Sequence, residues 1–204
     1  KTVARPNGTT ETTIKQADGL TATVQESQHS ATADIHIPSR TAEENLGGSV
    51  VLPIPPLSGE NASVTVHTGT AQPILVEIPI DGNDATTVAC LVNEDGSETI
   101  LKTALLSGGH ITVSIPDGAT VHIWDNEKNF QDVQGHWAEN AISFVAAREL
   151  FSGETSSAFA PEDSMSRAML MTVLARLDGV DTAGETAYQQ GMSWAVAQGI
   201  SDGQ

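Results

Sequence analysis

The chain has 204 residues, enough for one large or two small domains, and its formal charge is −17. Nucleic acids and anionic membrane surfaces attract clustered Lys and Arg, so this charge argues against both as partners. No run of about 18 apolar residues is present, and we therefore expect no membrane insertion.

Residues 1–60 are rich in Thr and Ser and form the first predicted region. The run "TTETTIKQADGLTATVQES" alternates polar and apolar residues around the Asp-Gly step at 18–19, which indicates a β-hairpin. "ATADIHIP" is a further candidate strand, and "TAEENLGG" is one helical turn. Three prolines in "SVVLPIPPL" exclude a central strand and predict an edge strand or an extended linker. We interpret the region as a stalk of β-hairpins that ends in a Pro-rich linker.

Residues 61–127 form the second predicted region, a small antiparallel β module. Five or six short alternating runs are separated by Gly- and Asp-containing turns, which is typical of a sandwich or a barrel. The first aromatic residue of the chain is Trp124, so the core before it has to consist of aliphatic residues. Cys90, the single cysteine, lies in an apolar alternating run and is expected to be a small buried hydrophobe.

Residues 128–204 form the third predicted region, in which the apolar spacing becomes helical. The apolar face of its first helix is assigned to Trp137, Ala141, Phe144, Val145 and Arg148. A second helix is expected to begin at an N-cap at Ser164 or Ser166 and to end at Gly179. The fold class predicted for the whole chain is α+β with segregated domains, in which a β-sandwich-like module precedes a small helical bundle.

The third region contains an internal sequence repeat. "AISFVAARELFSG" at 141–153 aligns with "GMSWAVAQGISDG" at 191–203, an offset of 50 residues. We interpret this as a repeat unit of about 50–60 residues that begins again near the end of the sequence.

Several short motifs of this region occur in a fixed order. They are F-x-D-V at 130–133, HWA at 136–138, LFSG at 150–153, FAP at 159–161 and SRA at 166–168. Together they resemble an S-layer homology (SLH) repeat, the module by which many Gram-positive surface proteins hold onto the cell wall. The resemblance covers one repeat at 130–180 and a truncated second repeat at 188–204. The β-rich segment upstream is similar to one that often precedes such repeats in predicted surface proteins of gut clostridia.

The resemblance implies a helical bundle and a ligand. In the family, three repeats usually form a pseudo-threefold bundle, and grooves between repeats bind a secondary cell-wall polymer, often through a pyruvylated amino sugar. The family's Arg, Trp and Asp positions correspond here to Arg167, Trp137 and Asp132, with Arg167 reaching the carboxylate of the ligand. Two positions depart from the family motif, since Ser166 replaces Thr and Met169 replaces Glu, which removes the usual capping-box partner.

Each of these three residues also has a structural interpretation. Trp137 is expected mainly to fill the core of a domain that has few aromatic residues. Asp132 is expected to cap the helix that begins near His136. Arg167 either contacts ligand or forms a salt bridge to Asp132 or Glu162.

The sequence shows no motif that indicates catalysis, a cofactor or a metal site. The six His residues are dispersed, at positions 29, 36, 67, 110, 122 and 136, and none forms a helical His pair. No nucleophile–base motif, paired catalytic carboxylates or phosphate-binding glycine loop is evident. We therefore predict a protein that is not an enzyme, with no cofactor and no metal site.

The leading hypothesis is a fragment of an extracellular cell-surface protein that is anchored non-covalently to cell-wall polysaccharide. One and a partial repeat cannot build an inter-repeat groove alone, so either further repeats or self-association is expected to complete the bundle. One alternative is that the β module is an adhesin-type domain that binds protein or carbohydrate, with the helices as a tether. Another is that the chain is an accessory part of a larger extracellular enzyme.

Overall fold

The computed structural model describes residues 1–6, 8–45, 47–57, 62–81, 85–182 and 184–202, with the backbone alone at residue 185. The chain divides into two compact units, Lys1–Asn126 and Glu127–Gln204. The first is mostly β-sheet, and the second contains three of the helices.

The first unit contains twelve strands and one short helix among the described residues. In chain order they are β1 (Thr2–Ala4), β2 (Thr10–Lys15), β3 (Thr21–Glu26), β4 (Ala31–His36), α1 (Ser39–Glu44), β5 (Ser49–Val51), β6 (Ala62–His67), β7 (Ile74–Pro79), β8 (Thr87–Val92), β9 (Glu98–Ile100), β10 (Leu105–Ser107), β11 (His110–Ile115) and β12 (Ala119–Asp125).

The strands form two sheets. The larger has the order β1-β2-β3-β4-β6-β12-β8-β9, and the smaller has the order β10-β11-β7-β5. The predicted hairpin at the Asp-Gly step of 18–19 is confirmed, because β2 and β3 pair antiparallel and Gly19 has a φ of 93°. The predicted edge strand in the Pro-rich run is also confirmed, since β5 lies at one end of the smaller sheet.

Two pairings differ from the predicted antiparallel arrangement. Strands β4 and β6 pair in parallel, and so do β5 and β7. Residues 37–61 separate β4 from β6, and this segment is long enough to return the chain to the starting end of the sheet. The residues that flank β4 and β6 do not distinguish a crossover connection from a hairpin. The sequence pattern alone therefore favoured hairpins.

The parallel pairing of β4 with β6 also changes the predicted region boundary at residue 60. Strands from both sides of that residue lie in one sheet, so residues 1–60 do not form a separate stalk. The Pro-rich segment is not a free linker either, because Leu52, Ile54 and Leu57 are buried in the core. The boundary residue itself lies outside the described residues.

One hydrophobic cluster contains side chains from both sheets. Its buried members are Leu, Ile, Val and Ala, as expected from the absence of aromatic residues before Trp124. Strand β6 illustrates the underlying pattern, because its residues alternate between buried and half-buried along the strand. Cys90 is buried, as predicted, and its Sγ accepts a hydrogen bond from Trp124 Nε1 at 3.1 Å.

The second unit contains helices α2 (Glu139–Ala147), α3 (Arg167–Leu177) and α4 (Ala187–Ala197), with a 3-10 turn at Gly184–Thr186. A small core of Phe130, Val133, Ile142 and Ala146 holds α2 against the segment before it, and Phe159 packs on this core. Among the described residues, none of the helices combines the length and the apolar character that a membrane span requires.

Helix α2 faces the core differently from the prediction. The residues it buries are Ile142, Ala146 and Ala147, whereas Ala141 is exposed and Phe144 is half-buried. The residues that α2 buries therefore lie mostly on a different side of the helix from the predicted face. Arg148 keeps its predicted inward position and is fully buried.

Candidate functional site

Trp137 is the most exposed large hydrophobic side chain among the described residues, at 90%. It lies before α2, whose first residue is Glu139, and its ring is 5.5 Å from that of His136. The expectation that Trp137 fills the core is therefore wrong. Phe130 and Phe159 occupy that volume instead, with ring centroids 5.4 Å apart. An indole left in water offers a flat apolar face and an N–H donor to a ligand.

Asp132 binds a backbone turn rather than the start of α2. Its carboxylate accepts hydrogen bonds from Phe159 N at 2.9 Å and from Ala160 N at 2.7 Å. These bonds, from Phe159 first and then Ala160, hold the pKa of Asp132 below its usual 3.8. Ala160 has a φ of 60°, which is uncommon for a residue with a Cβ. Asp132 therefore stabilises an unusual turn, and the prediction that it caps a helix is wrong.

His136 connects the same two parts of the unit. Its Nδ1 accepts a hydrogen bond from Ala138 N at 3.2 Å, so the neutral ring carries its proton on Nε2. Nε2 then donates to Glu162 Oε1 at 2.9 Å. Sequence reasoning assigned no role to His136, although its place in the HWA motif beside Trp137 was a usable signal.

Arg167 is the first residue of α3, and its side chain is 52% exposed. One of its guanidinium nitrogens, Nη2, donates to Ser201 Oγ at 3.0 Å and lies 3.4 Å from Asp202 Oδ1. The prediction of a salt bridge to an acidic neighbour such as Asp132 or Glu162 is confirmed in kind, but the partner is Asp202. The carboxylates of Asp132 and Glu162 have other partners. The carboxylate on Arg167 comes from the segment predicted as the second repeat.

The N-terminus of α3 keeps its cap despite the loss of the family's Glu. Ser166 Oγ accepts a hydrogen bond from Met169 N at 3.2 Å, as predicted for this N-cap. In the reverse direction, Ser166 N donates to Met169 Sδ at 3.4 Å. The expected loss of the capping box is therefore wrong in geometry, although a thioether sulfur is a weak acceptor.

Two further arginines are structural. Burial lowers the pKa of Arg148 to about 10, and its guanidinium lies 3.6 Å from the centroid of the Phe144 ring. Arg176 donates to Leu150 O at 2.8 Å and to Thr182 Oγ1 at 2.8 Å. Of the three arginines of this unit, Arg167 is thus the one that presents its charge at the surface.

Two residues that precede α2 bind the connecting segment 159–166, which leads to Arg167. Asp132 binds the backbone at its start, His136 binds Glu162 in its middle, and Arg167 follows its end. Trp137 is the neighbour of His136 and faces solvent. The chemistry available is an exposed aromatic face, an accessible guanidinium with a weakly held carboxylate, and a turn fixed by two charge-assisted hydrogen bonds.

The comparisons with known proteins bear on this same segment. Residues 129–168 match the family model of the S-layer homology domain. The match contains Trp137, Asp132 and Arg167 and ends before the predicted second repeat. Neither a curated protein nor a solved structure matches the chain. Domains of this family bind cell-wall polymers, so the match indicates association with the cell wall at the cell surface.

Proposed function

Because the chain carries an S-layer homology domain at residues 129–168, we propose that it is a non-catalytic part of a cell-surface protein. The domain anchors the protein non-covalently to cell-wall polysaccharide, and Trp137 and Arg167 provide the contacts. The observation that carries this proposal is the exposure of Trp137, because its indole offers an apolar face and an N–H donor to a ligand at the surface.

Arg167 provides the charge in this proposal. The chain as a whole carries −17, so general attraction to an anionic polymer is unfavourable and recognition has to be local. The exposed ion pair with Asp202 contributes little to stability and is readily displaced. An acidic sugar would then replace the Asp202 carboxylate on the same guanidinium through charge-assisted hydrogen bonds.

Asp132 has a positioning role here. Its carboxylate fixes the turn at Phe159 and Ala160, and Ala160 lies seven residues before Arg167 in the chain. The larger architecture that accompanies this proposal is a β-sandwich-like module followed by a segregated helical bundle in a Gram-positive surface protein. Association of copies, or additional repeats, would complete the groove beside Arg167.

The experiment is co-sedimentation of the full chain with purified bacterial cell walls. Arg167→Ala should abolish most sedimentation, and Arg167→Lys should restore only part of it, because Lys cannot form a bidentate pair. Arg40→Ala is the matched control, since Arg40 is also an exposed arginine paired with a carboxylate, that of Glu44. Equal sedimentation of wild type and Arg167→Ala would show that the proposed cation is wrong.

A second variant separates ligand binding from structure. If Asp202 occupies the ligand's place, Asp202→Asn should increase sedimentation, because it removes the competing carboxylate from Arg167. If the ion pair serves only the fold, Asp202→Asn should lower stability and leave sedimentation unchanged.

A further inference from the structure

Asp34, His36 and His67 form a cluster in the first unit, on adjacent strands of the larger sheet. The parallel register of β4 and β6 places His36 directly opposite His67. Asp34 and His36 are two residues apart on β4, whose side chains alternate between buried and exposed, so both face solvent on the same side. All three residues are thus brought to one surface by the pairing itself.

The distances within this cluster suit a small metal ion. Asp34 Oδ1 lies 3.1 Å from His36 Nε2, and Asp34 Oδ2 lies 3.7 Å from His67 Nε2. One ligand atom from each residue lies within 4.8 Å of the others. A tetrahedral zinc ion with bonds of about 2.0–2.1 Å needs ligand atoms about 3.3 Å apart. The two carboxylate–imidazole distances lie on either side of that value.

The imidazole rings have to reorient before they can share an ion. They are stacked, with centroids 4.5 Å apart and planes inclined by 14°. Because the lone pair of each Nε2 lies in its ring plane, a common ion requires the two rings to tilt towards each other. The side chain of His36 is 63% exposed and that of His67 is 38% exposed, so solvent borders both rings.

A surface depression and a backbone segment held by Asp117 lie next to the cluster. A depression of ≈ 280 Å³ is lined by His36, His67 and residues that follow them, including Ser39 and Thr68. It gives room for a water molecule as a fourth ligand. Asp117 fixes the backbone just beyond His67, because its carboxylate accepts hydrogen bonds from Thr68 N at 2.6 Å and from Gly69 N at 3.0 Å.

We propose that Asp34, His36 and His67 form a binding site for a divalent transition metal of the zinc type, with one position open to water. Two imidazoles and one carboxylate are a ligand set that zinc accepts, and an open position is typical of three-ligand sites. The site is independent of the wall-anchoring function, since it lies in the other compact unit.

The test is a calorimetric titration of the metal-free full chain with Zn²⁺. It is carried out at a pH above the usual histidine pKa of about 6.5, where a free imidazole is neutral and can bind a metal. Wild type should bind one Zn²⁺ and show a higher Tm in its presence, because a ligand that binds only the folded state stabilises it. His36→Ala and His67→Ala should each weaken Zn²⁺ binding at least tenfold and remove the rise in Tm. Asp34→Asn should weaken it less, since the amide oxygen can still approach the ion.

The matched control is His122→Ala. His122 is a strand histidine that pairs with one carboxylate, that of Glu98, at 2.9 Å. The His122→Ala variant should bind Zn²⁺ as wild type does. The proposal is overturned if wild type does not bind Zn²⁺. It is also overturned if the double variant, which carries both His36→Ala and His67→Ala, binds Zn²⁺ as tightly as wild type. The second result would place the ion elsewhere, and circular dichroism of each variant verifies that the sheet is intact.

Discussion

Glu149 and Gly199 occupy equivalent positions at two helix ends that lie 50 residues apart, and both have a positive φ, 55° and 70°. The residue after each closes the helix in the same way, since Leu150 N donates to Val145 O at 3.0 Å and Ile200 N donates to Ala195 O at 2.9 Å. The internal sequence repeat therefore corresponds to the same geometry at two helix ends. The two copies differ in that one uses Gly and the other Glu at a position that favours Gly.

Glu149→Gly is expected to stabilise the protein. A residue with a Cβ in the left-handed region costs about 1–2 kcal/mol, and the greater flexibility of Gly in the unfolded chain offsets part of the gain. The net increase in the free energy of unfolding should be about 0.5–1 kcal/mol, measured by urea denaturation. Lys128→Ala is the control, because it removes the same 3.7 Å ion pair with Glu149 and leaves the backbone unchanged. A decrease in stability for Glu149→Gly would mean that the side chain of Glu149 matters more than its φ.

The sequence predicted the elements of the second unit better than their orientation. An N-cap was predicted at Ser164 or Ser166 because a hydroxyl precedes an apolar run there, and the structure places α3 directly after Ser166. The predicted face of α2, which starts from Trp137, differs from the face that the helix buries. Trp137 precedes the helix, so helical spacing did not apply to it. Periodicity alone does not show where a helix begins.

The limits are different in the first unit. Alternation located β4 and β6 but contained no sign of their parallel pairing. The cluster of Asp34, His36 and His67 depends on that pairing, so a search for helical His spacing could not find it. Long-range register is set by how both sheets bury one core, which local sequence does not encode.

Trp137→Ala should weaken wall binding without lowering stability. The side chain is 90% exposed, so its removal leaves no cavity, and the free energy of unfolding should change by less than about 0.5 kcal/mol. Co-sedimentation with cell walls should fall markedly if the indole contacts polymer. Tyr188→Ala is the matched control, because Tyr188 is an exposed aromatic residue at 53% on α4, outside the matched segment. Equal binding of wild type and Trp137→Ala would assign the exposed indole no role in anchoring.

Asp132→Asn should change how stability depends on pH. The folded state holds the pKa of Asp132 below its usual 3.8, chiefly through the amides of Phe159 and Ala160. This contribution is therefore present above about pH 4 and is lost as the pH falls through the lower folded pKa. The variant should be less stable than wild type near neutral pH, and the difference should shrink on acidification. Urea unfolding at a series of pH values measures this, and a constant difference at all pH values would contradict it.

Hydrogen exchange provides a local measurement of the same turn. The amides of Phe159 and Ala160 should exchange faster in Asp132→Asn, because a neutral acceptor binds them more weakly. The control is Asp95→Asn, since Asp95 likewise accepts from a backbone amide, that of Ser97, in the other unit. That variant should leave exchange at Phe159 and Ala160 unchanged.

Gly191→Ala should destabilise the packing of α3 against α4. Gly191 lies inside α4, where Gly costs about 1 kcal/mol of helix propensity relative to Ala, so the substitution would stabilise an isolated helix. A Cβ at this position, however, would lie 2.6 Å from Thr172 Cα and 2.7 Å from Thr172 N on α3. Because these are backbone atoms, the helices have to separate, and the net loss should be about 1–3 kcal/mol in urea unfolding. Gln190→Ala, at an exposed position one residue earlier, should have little effect. Adding Thr172→Ala should not rescue Gly191→Ala, since the backbone contacts remain, and a rescue would show that the hydroxyl alone sets the distance between the helices.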